Sequence, residues 1–534
     1  MNELFDNEKK FQDSITCLNY LEKYKSKKIK KGYILYSFDT IVKDGSNWTA
    51  HTYSGPKLQH LMLNASEETI QHLRKNSSIR EKMLLEVALT GREIDKLLRT
   101  VLNSYSNNGH PFAQIQLTDI QFKEDQVSAS LGVSKGPYYT IHSIIVRGDS
   151  SIHAKSIQNL IDIKTGDPHD EEKIRNIDQR IKQLNYLKTI KATEILFKPE
   201  GTDIYMYLEK VPVSSINGII GFQPNSTTGK LDLTGEANLK LTNALNRGEK
   251  IQFQWQSIRD QTQNLQSYLS YPYLFNSKFG IEGKFDLYKR DSTFLELKYR
   301  TAVNYYLSNS TYISGFYQGY QSNALSGAAN NQSFTRIGNS SVNLYGVGFN
   351  SFQYDYLQNP RKGYSIKIES GIGNRIYSEA DSLTKDKTLS YRGSIDLELF
   401  IPLYKKHVLK LASQSEFVGS DEGVFENELF RFGGQQSQRG FNEDELYAST
   451  RTTQTIEYRY LLDRNAFVFL FFDQSWYENN SANYVNAHPF GFGTGISFST
   501  GLGIFSLSYA LGKQFDNPIR LADGKIHFGY IAYF

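Results

Sequence analysis

The chain has little of several features that would place it in a familiar class of protein. It contains one cysteine, Cys17, which excludes an intramolecular disulfide framework and any metal site built on two or more thiolates. No window approaches the 18 consecutive apolar residues of a membrane-spanning helix, and the longest dense apolar run, residues 466–472, has seven. If this chain crosses a membrane, it must therefore do so with the strands of a closed barrel.

Charge of one sign is also lacking. The 60 basic and 56 acidic residues leave a formal net charge of +4, which gives no field that would attract a nucleic acid. The first residues, MNELFDNEKKFQD, contain neither a basic n-region nor an apolar h-region, so no signal peptide is visible. We predict no nucleic-acid partner from the charge balance. If the protein is exported, we expect its export signal to be encoded elsewhere in the gene.

The motifs of the common enzyme classes are absent as well. There is no HExxH, no GxSxG and no Walker loop, and the ten histidines are scattered without a pair at ligand spacing. The GFGTG stretch at residues 491–495 lacks the spacing of a dinucleotide-binding loop and opens a strand. We therefore predict that the protein is not an enzyme and holds no cofactor and no metal.

Aromatic residues and alternating patterns dominate residues 213–534. The chain has 36 Tyr and 33 Phe, and stretches such as KIQFQWQS place Ile251, Phe253 and Trp255 between glutamines. A soluble β-sandwich also alternates, but a long helix-free region with aromatics near strand ends, in a chain whose mean hydropathy is −0.48, is typical of a transmembrane barrel. At about 20 residues per strand and connection, residues 213–534 form about 16 antiparallel strands.

The front of the chain repeats a smaller pattern. Gly55-Pro56 and Gly136-Pro137 occur at equivalent places in two similar segments, residues 31–63 and 108–146, and a looser third copy follows. The repeat reads strand, helix, helix, strand, strand in about 75 to 80 residues, which is the size of a small α+β module. We assign modules to residues 1–56, 57–136 and 137–212. Their sheet edges can pair with an extended partner strand, although simple spacers would show the same pattern.

The first module begins at a helix around Asn7 to Lys28 and lacks the leading strand of the other two. We therefore expect the numbering to start inside a longer gene product that also carries the export signal. The module count of three is accordingly a lower limit.

The stretch RFGGQQSQRGF, residues 431–441, interrupts the alternation. A lipid-facing arginine would cost several kcal/mol, roughly 2–4, so Arg439 is expected in a loop or in the lumen. Gly433 and Gly434 permit backbone conformations that are closed to other residues, and Gly440 lets the chain approach a wall closely. A loop folded into the lumen needs an anchor, for which a guanidinium bonded to carboxylates is well suited, whereas a solvated loop would leave Arg439 unpaired.

Taken together, the modules, the barrel, the late Arg-Gly-Phe triplet, VFLFFDQSWY and GTGISFSTGLGIFSLSYALGK resemble the BamA/TamA superfamily of outer-membrane assembly proteins, also called the bacterial surface antigen family, and are most similar to the TamA type. The resemblance implies that the modules are POTRA domains. It also implies that Arg439, Gly440 and Phe441 form the family's lumen-loop motif, with Gln438 in place of the usual apolar residue.

In this family the loop arginine reaches acidic residues on neighbouring barrel strands. The resemblance carries this role to Glu457, which has inward parity if Ile456 and Tyr458 face lipid, and to Asp473. Because residues 467–472 are apolar on both parities, the pattern does not say which face Asp473 takes. If it faces inward, the phenylalanines of the same parity face inward too and pack against the loop.

The barrel ends are predicted to form a weak seam. Gly218 and Gly221 in the first strand and Gly529 in the last would loosen the pairing between them. The terminal Phe534 resembles the targeting signal of bacterial outer-membrane barrels.

These features predict a factor in the outer membrane of a Gram-negative bacterium, with its POTRA modules in the periplasm. Its partners would be unfolded outer-membrane or secreted client proteins, outer-membrane lipid and a periplasmic or lipoprotein accessory. The alternative within the family is a dedicated secretion channel for one partner protein. A passive porin would explain the barrel but would leave residues 1–212 without a purpose.

Overall fold

The structure is a computed structural model. It describes residues 13–44, 47–58, 60–77, 86–123, 126–184, 186–224, 231–257, 262–290, 293–325, 337–356, 359–379, 385–481, 484–500, 503–516 and 518–531. Within these ranges, no helix has the length and apolar character needed to cross a membrane. The chain forms two compact units, of which the first comprises residues 1–144, 164–176 and 195–204 and the second the rest.

The first module contains helix α1 (Ser14–Lys30) and a hairpin of strands β1 (Ser37–Asp44) and β2 (Asn47–Tyr53). Helix α1 starts after Asp13 because the Asp13 carboxylate accepts a hydrogen bond from the Thr16 amide at 2.7 Å. Lysines fill its last turn, where the helix dipole favours positive charge. The part of the predicted helix before residue 13 lies outside the described residues.

The second module builds a four-stranded sheet with two helices. Its elements are β3 (His60–Asn64), α2 (Glu67–Asn76), β4 (Glu86–Ala88), α3 (Gly91–Ser106), β5 (Gln114–Lys123) and β6 (Gln126–Ser134). The sheet order is β4-β3-β6-β5, with β3 parallel to β6 and the other pairs antiparallel. Leu61, Leu73, Val101 and Tyr105 are buried together in its core. The short strand β4 was not anticipated, because three residues are too few to show a period.

The third module has the predicted order of strand, helices and two strands. Its elements are β7 (Ile141–Gly148), α4 (Ala154–Ile161), α5 (Glu171–Arg175), α6 (Ile177–Lys182), β8 (Leu187–Lys198) and β9 (Gly201–Lys210), in a sheet of order β7-β9-β8. The stretch GDPHDEEK, whose acidic residues suit a helix start, opens residues 170–184 and predicts one helix there, whereas the structure divides it at Asn176. The Asp170 side chain caps α5 by accepting from the Lys173 amide at 2.9 Å.

A buried carboxylate in β9 should make this module sensitive to acid. Asp203 is 2% exposed, its carboxylate lies 2.6 Å from the Lys198 ammonium, and it also accepts from the Ser143 hydroxyl. The Lys198 ammonium first, and the Ser143 hydroxyl second, lower the pKa of Asp203 below its ordinary value of 3.8. A depressed carboxyl pKa contributes stability that is present above pH 3.8 and is lost as pH falls through the lowered value.

We therefore expect Asp203→Asn to increase hydrogen exchange of peptides from residues 139–210 at pH 7, and the difference from the parent to shrink as the pH falls below 3.8. The measurement is hydrogen exchange by mass spectrometry on the full chain, compared with the parent at each pH. A difference that is independent of pH would contradict the assigned ion pair.

The remaining residues form the barrel. Its strands are β10 (Ser215–Pro224), β11 (Leu231–Thr242), β12 (Lys250–Ser257), β13 (Gln263–Tyr271), β14 (Phe279–Arg290), β15 (Phe294–Ser308), β16 (Thr311–Ala324), β17 (Gly338–Tyr354), β18 (Gly363–Glu379), β19 (Asp386–Tyr404), β20 (His407–Ser420), β23 (Thr450–Asp463), β24 (Ala466–Asn479), β25 (Val485–Ala487), β26 (Phe490–Thr500), β27 (Gly503–Lys513) and β28 (Lys525–Ile531). Two further short strands, β21 (Phe430–Phe432) and β22 (Leu446–Ala448), pair only with each other.

These 17 strands are all antiparallel to their neighbours and follow chain order. Strands β25 and β26 pair with successive parts of β24, so they occupy one position in the sheet, interrupted near Pro489. The sheet therefore has 16 strand positions, and the predicted barrel of about 16 antiparallel strands is confirmed.

The alternation places charge inside and apolar residues outside. In β23, Glu457 and Arg459 are buried while Ile456, Tyr458 and Tyr460 are exposed. Since a barrel strand alternates between lumen and lipid, the exposed apolar side chains mark the lipid face.

The same division in β24 settles the open question about its phenylalanines. Phe469, Phe471 and Asp473 are buried, whereas Leu470 and Phe472 are exposed. Asp473 thus points into the lumen.

Strands β10 and β28 stand at the two ends of the hydrogen-bonded order, and among the described residues no ladder joins them. Gly218 and Gly221 pair with Ala237 and Thr234 of β11, and Gly529 pairs with β27. Phe534 lies outside the described residues.

Candidate functional site

The connection between β20 and β23, residues 421–449, is the candidate site and is called the lumen loop below. Strands β21 and β22 form a small hairpin within it. Because neighbouring strands are antiparallel, the loop leaves the sheet at the end opposite to the one where β10 begins, here called the far end. Its side chains contact inward-facing residues of β15 and β18, which precede the loop in the sheet, and of β24, which follows it. These contacts place the loop inside the barrel.

Arg439 is bonded to both predicted carboxylates. Its Nε and Nη2 donate to the two oxygens of Asp473 at 2.7 and 2.8 Å, and its Nη1 donates to Glu457 Oε2 at 2.6 Å. Its guanidinium carbon lies 3.6 Å from the centre of the Phe471 ring, a cation–π contact. Glu457 also accepts from Arg459 Nε at 2.8 Å. The structure therefore brings together a fork of charge-assisted hydrogen bonds on two adjacent strands.

Gln438 extends this cluster, although it departs from the apolar residue usual at its position. It is fully buried, its Nε2 donates to the Asp473 carbonyl at 3.2 Å, and its Oε1 accepts from the Ser475 hydroxyl. Ser475 is itself paired with Thr453 at 2.7 Å. The polar Gln438 side chain is thus satisfied by β24, through contacts that only the three-dimensional structure reveals.

The backbone of the loop touches the barrel wall at positions where glycines leave room for it. Gly440 has φ +93°, and a Cβ there would lie 2.7 Å from the Cα of Gly512 in β27. A Cβ at Gly491 in β26 would overlap the carbonyl oxygen of Arg439. Gly433 and Gly434, with φ +126° and +84°, turn the chain before the arginine in conformations that favour glycine.

Phe441 completes the triplet by filling an apolar cluster. It is buried with Phe432, Leu446 and Tyr477. Phe441 therefore packs the Arg-Gly-Phe triplet against β24 and against the loop's own hairpin, next to the charged contacts of Arg439.

A second set of anchors was missed at the sequence level. Arg375 in β18 donates from Nε and Nη2 to the two oxygens of Glu428 at 2.9 and 2.6 Å, and both side chains are 1% exposed. Arg431 donates from Nη1 and Nη2 to Glu296 in β15 at 2.8 and 3.0 Å. The signal that could have found them is the inward parity of isolated charges on otherwise alternating strands.

Asn427 strengthens this second region. Its side-chain Nδ2 donates to Ser322 Oγ at 2.6 Å and to the Gly338 backbone carbonyl at 2.9 Å. The backbone carbonyl of Asn427 accepts from the Tyr320 hydroxyl at 2.6 Å. The loop is thus bonded to the far ends of β15, β16, β17 and β18.

The lumen loop also contacts the last strands. The Gly440 amide donates to His527 Nε2 in β28 at 3.4 Å, and Gln435 Nε2 donates to Ser506 in β27 at the same distance. A Cβ at Gly529 would meet the Gln435 amide oxygen at 3.2 Å. The structure therefore brings Gly529 next to the loop, while Gly218 and Gly221 lie on β10.

A polar cavity of about 940 Å³ lies along the barrel wall, and Phe430 of the lumen loop is among its lining residues. Its lining mixes both signs of charge, including Lys284, Asp286, Glu369, Asp396 and Arg392. Arg300 bridges Glu282 and Glu369 across this wall. Such a lining suits a water-filled passage better than a site for one small ligand.

Comparisons with known proteins agree with this architecture. The profile of the POTRA family, described as "Surface antigen variable number repeat", matches residues 139–210. The outer membrane protein assembly factor BamA of Buchnera aphidicola is 29% identical over 101 residues, which are 18% of this chain and 16% of that relative. The match therefore spans less than a fifth of the relative's length.

Solved structures share the fold over nearly the whole chain. CdiB from Escherichia coli has a TM-score of 0.55 at 13% identity and covers 97% of this chain and 98% of its own. CdiB from Acinetobacter baumannii has a TM-score of 0.54 at 12% identity, covering 98% of this chain and 100% of its own. At these identities the likeness concerns the fold alone.

The chain is thus a β-barrel protein that carries a POTRA domain in front of its barrel. The resemblance to the BamA/TamA superfamily inferred from the sequence is confirmed by the POTRA match, the BamA relative and the shared barrel fold.

Proposed function

We propose that this protein inserts client proteins into the outer membrane of a Gram-negative bacterium or translocates them across it. The observation that carries the proposal is the union, in one chain, of a POTRA domain with a 16-position barrel whose lumen holds an anchored loop. A relative called an outer membrane protein assembly factor supports it. The clients would be unfolded outer-membrane or secreted proteins.

The modules before the barrel would receive these clients from the periplasm. We propose boundaries of 1–56, 57–136 and 137–212 for them. In the second module, β5 is an edge strand, and Ile120 and Phe122 on it are exposed. An exposed edge with apolar side chains can add an extended client segment as a further strand. A periplasmic or lipoprotein accessory would bind elsewhere on these modules.

The barrel would pass or insert the client along its seam. We propose that β10 and β28 form this seam, with Gly218, Gly221 and Gly529 weakening it and Phe534 belonging to the terminal signal. Glycines pack poorly against a neighbouring strand, so pairing there costs less to break. The loop contacts to His527 and Ser506 would support the last strands from inside.

Deleting the gene and quantifying the outer-membrane and secreted proteomes tests the proposal. We expect several barrel proteins to fall together, because a general factor handles many clients. Loss of one exported protein with all barrel proteins intact would instead establish the second candidate, a dedicated secretion channel. An unchanged proteome in both fractions would contradict both.

A further inference from the structure

The lumen loop is bonded to the wall in two separate regions. The first, which we call the root, comprises Asn427, Glu428 and Arg431 and contacts the far ends of β15 to β18. The second, which we call the tip, comprises residues 438–441 and contacts strands β23 to β28.

We propose that the root is an independent anchor, which holds the lumen loop inside the barrel when the Arg439 contacts of the tip are released. Gly433 and Gly434 would be the joint between the two regions. This inference concerns the loop itself and stands whether the barrel serves assembly or secretion.

In the part of the chain that the structure describes, the hydrogen bonds and ion pairs of root and tip share no residue. Arg375 and Glu296 bond the root, whereas Glu457 and Asp473 bond the tip. Interactions without shared partners contribute nearly independently, while contacts within one network are coupled. Release of one region therefore need not release the other.

The Arg375–Glu428 pair of the root is fully buried. Arg375 and Glu428 are each 1% exposed, and Glu428 Oε2 also accepts from the Phe425 amide at 2.8 Å. Removing one partner of such a pair leaves an uncompensated buried charge, which is strongly unfavourable. The root thus resists opening unless Glu428 or Arg375 is replaced.

Between them lies a short joint with little side-chain attachment. Gly433 and Gly434 have positive φ, and the Gly433 amide and carbonyl both bond the Ser437 hydroxyl at 2.8 Å. The two glycines have no side chain that could tie this turn to the wall, so we place the joint here, beside the contact of Phe441 with Phe432 and Leu446.

Two serines of the barrel wall can be replaced by cysteine to measure separately whether the root or the tip has left the wall. Ser322 is covered by Asn427 of the root and Ser475 by Gln438 of the tip, and both are fully buried. The experiment uses the full chain with Cys17→Ser and either Ser322→Cys or Ser475→Cys, and measures labelling by a water-soluble maleimide. Slower migration of the heat-treated barrel than of the unheated one on a gel verifies folding of each variant.

We expect Arg439→Ala to speed labelling at position 475 at least about tenfold and to leave position 322 protected. Glu428→Gln should do the reverse, and Arg431→Gln tests the root through its other ion pair if Glu428→Gln fails to fold. Glu398→Gln is the matched control, because this wall carboxylate bonds Lys410 and Tyr354, and it should expose neither serine. The proposal would be overturned if Arg439→Ala alone exposed both serine positions to the maleimide. It would also be overturned if neither Glu428→Gln nor Arg431→Gln exposed position 322.

Discussion

Replacing Arg439 by alanine should abolish most of the protein's function while the barrel stays folded. The change leaves the Asp473 and Glu457 carboxylates buried without their shared guanidinium. Breaking a buried ion pair by removing one partner costs about 3–5 kcal/mol, which is enough to free the tip but not to open a sheet of 16 strand positions. The measurement is the level of outer-membrane barrel proteins in cells whose only copy carries the variant.

Arg300→Ala is the matched control for this prediction. Arg300 also bonds two carboxylates, Glu282 and Glu369, but both lie on the wall and neither belongs to the loop. If lost charge pairing alone were responsible, both variants would fail equally. Full complementation by Arg439→Ala at equal surface levels would refute the role that we assign to the tip.

Adding one methyl group to β26 by Gly491→Ala should reduce the protein's function nearly as much as Arg439→Ala. In Gly491→Ala the new Cβ would overlap the carbonyl oxygen of Arg439, and Gln438 Nε2 lies 3.3 Å from the same point. Because the obstructing atom belongs to the backbone, the tip has to move away from the wall, at a cost of about 1–3 kcal/mol. Hydrogen bonds of 2.6 to 2.8 Å to Asp473 and Glu457 do not survive such a shift.

We expect Gly491→Ala to lower the same client levels, and the double variant with Arg439→Ala to be no worse than Arg439→Ala alone, because both act on one contact. Gly315→Ala in β16 is the matched control, since a Cβ there meets nothing within 4 Å. Additive losses in the double variant would show that Gly491 acts by another route.

Much of the fold could be predicted because period-2 alternation is a local property. The assignment of Glu457 to the lumen followed from Ile456 and Tyr458, and the structure has these two exposed. Helix starts were equally local, as the cap at Asp170 illustrates. The division of the predicted 170–184 helix at Asn176 was missed, since packing of two short helices overrides a continuous helical pattern.

The candidate site could be predicted only in part. The resemblance pointed to Arg439, Glu457 and Asp473, but nothing in the pattern linked Glu428 to Arg375, 53 positions away. Arg431 and Glu296 are 135 positions apart, and their contact depends on the curvature of the sheet from β15 to β20. The pattern also left undecided whether the Asp473 side chain points into the lumen or towards lipid. Its neighbours are apolar on both parities, so either register would have buried apolar surface.

The sequence by itself therefore determined which segments are strands, about how many there are, and that a charged loop must lie away from lipid, because alternation, turn residues and the cost of charge in lipid act over short distances. Only the tertiary structure decided which carboxylate each loop arginine meets and that the loop has a root as well as a tip. Closing a barrel brings distant strands to opposite walls of one lumen, and that proximity has no signature along the chain.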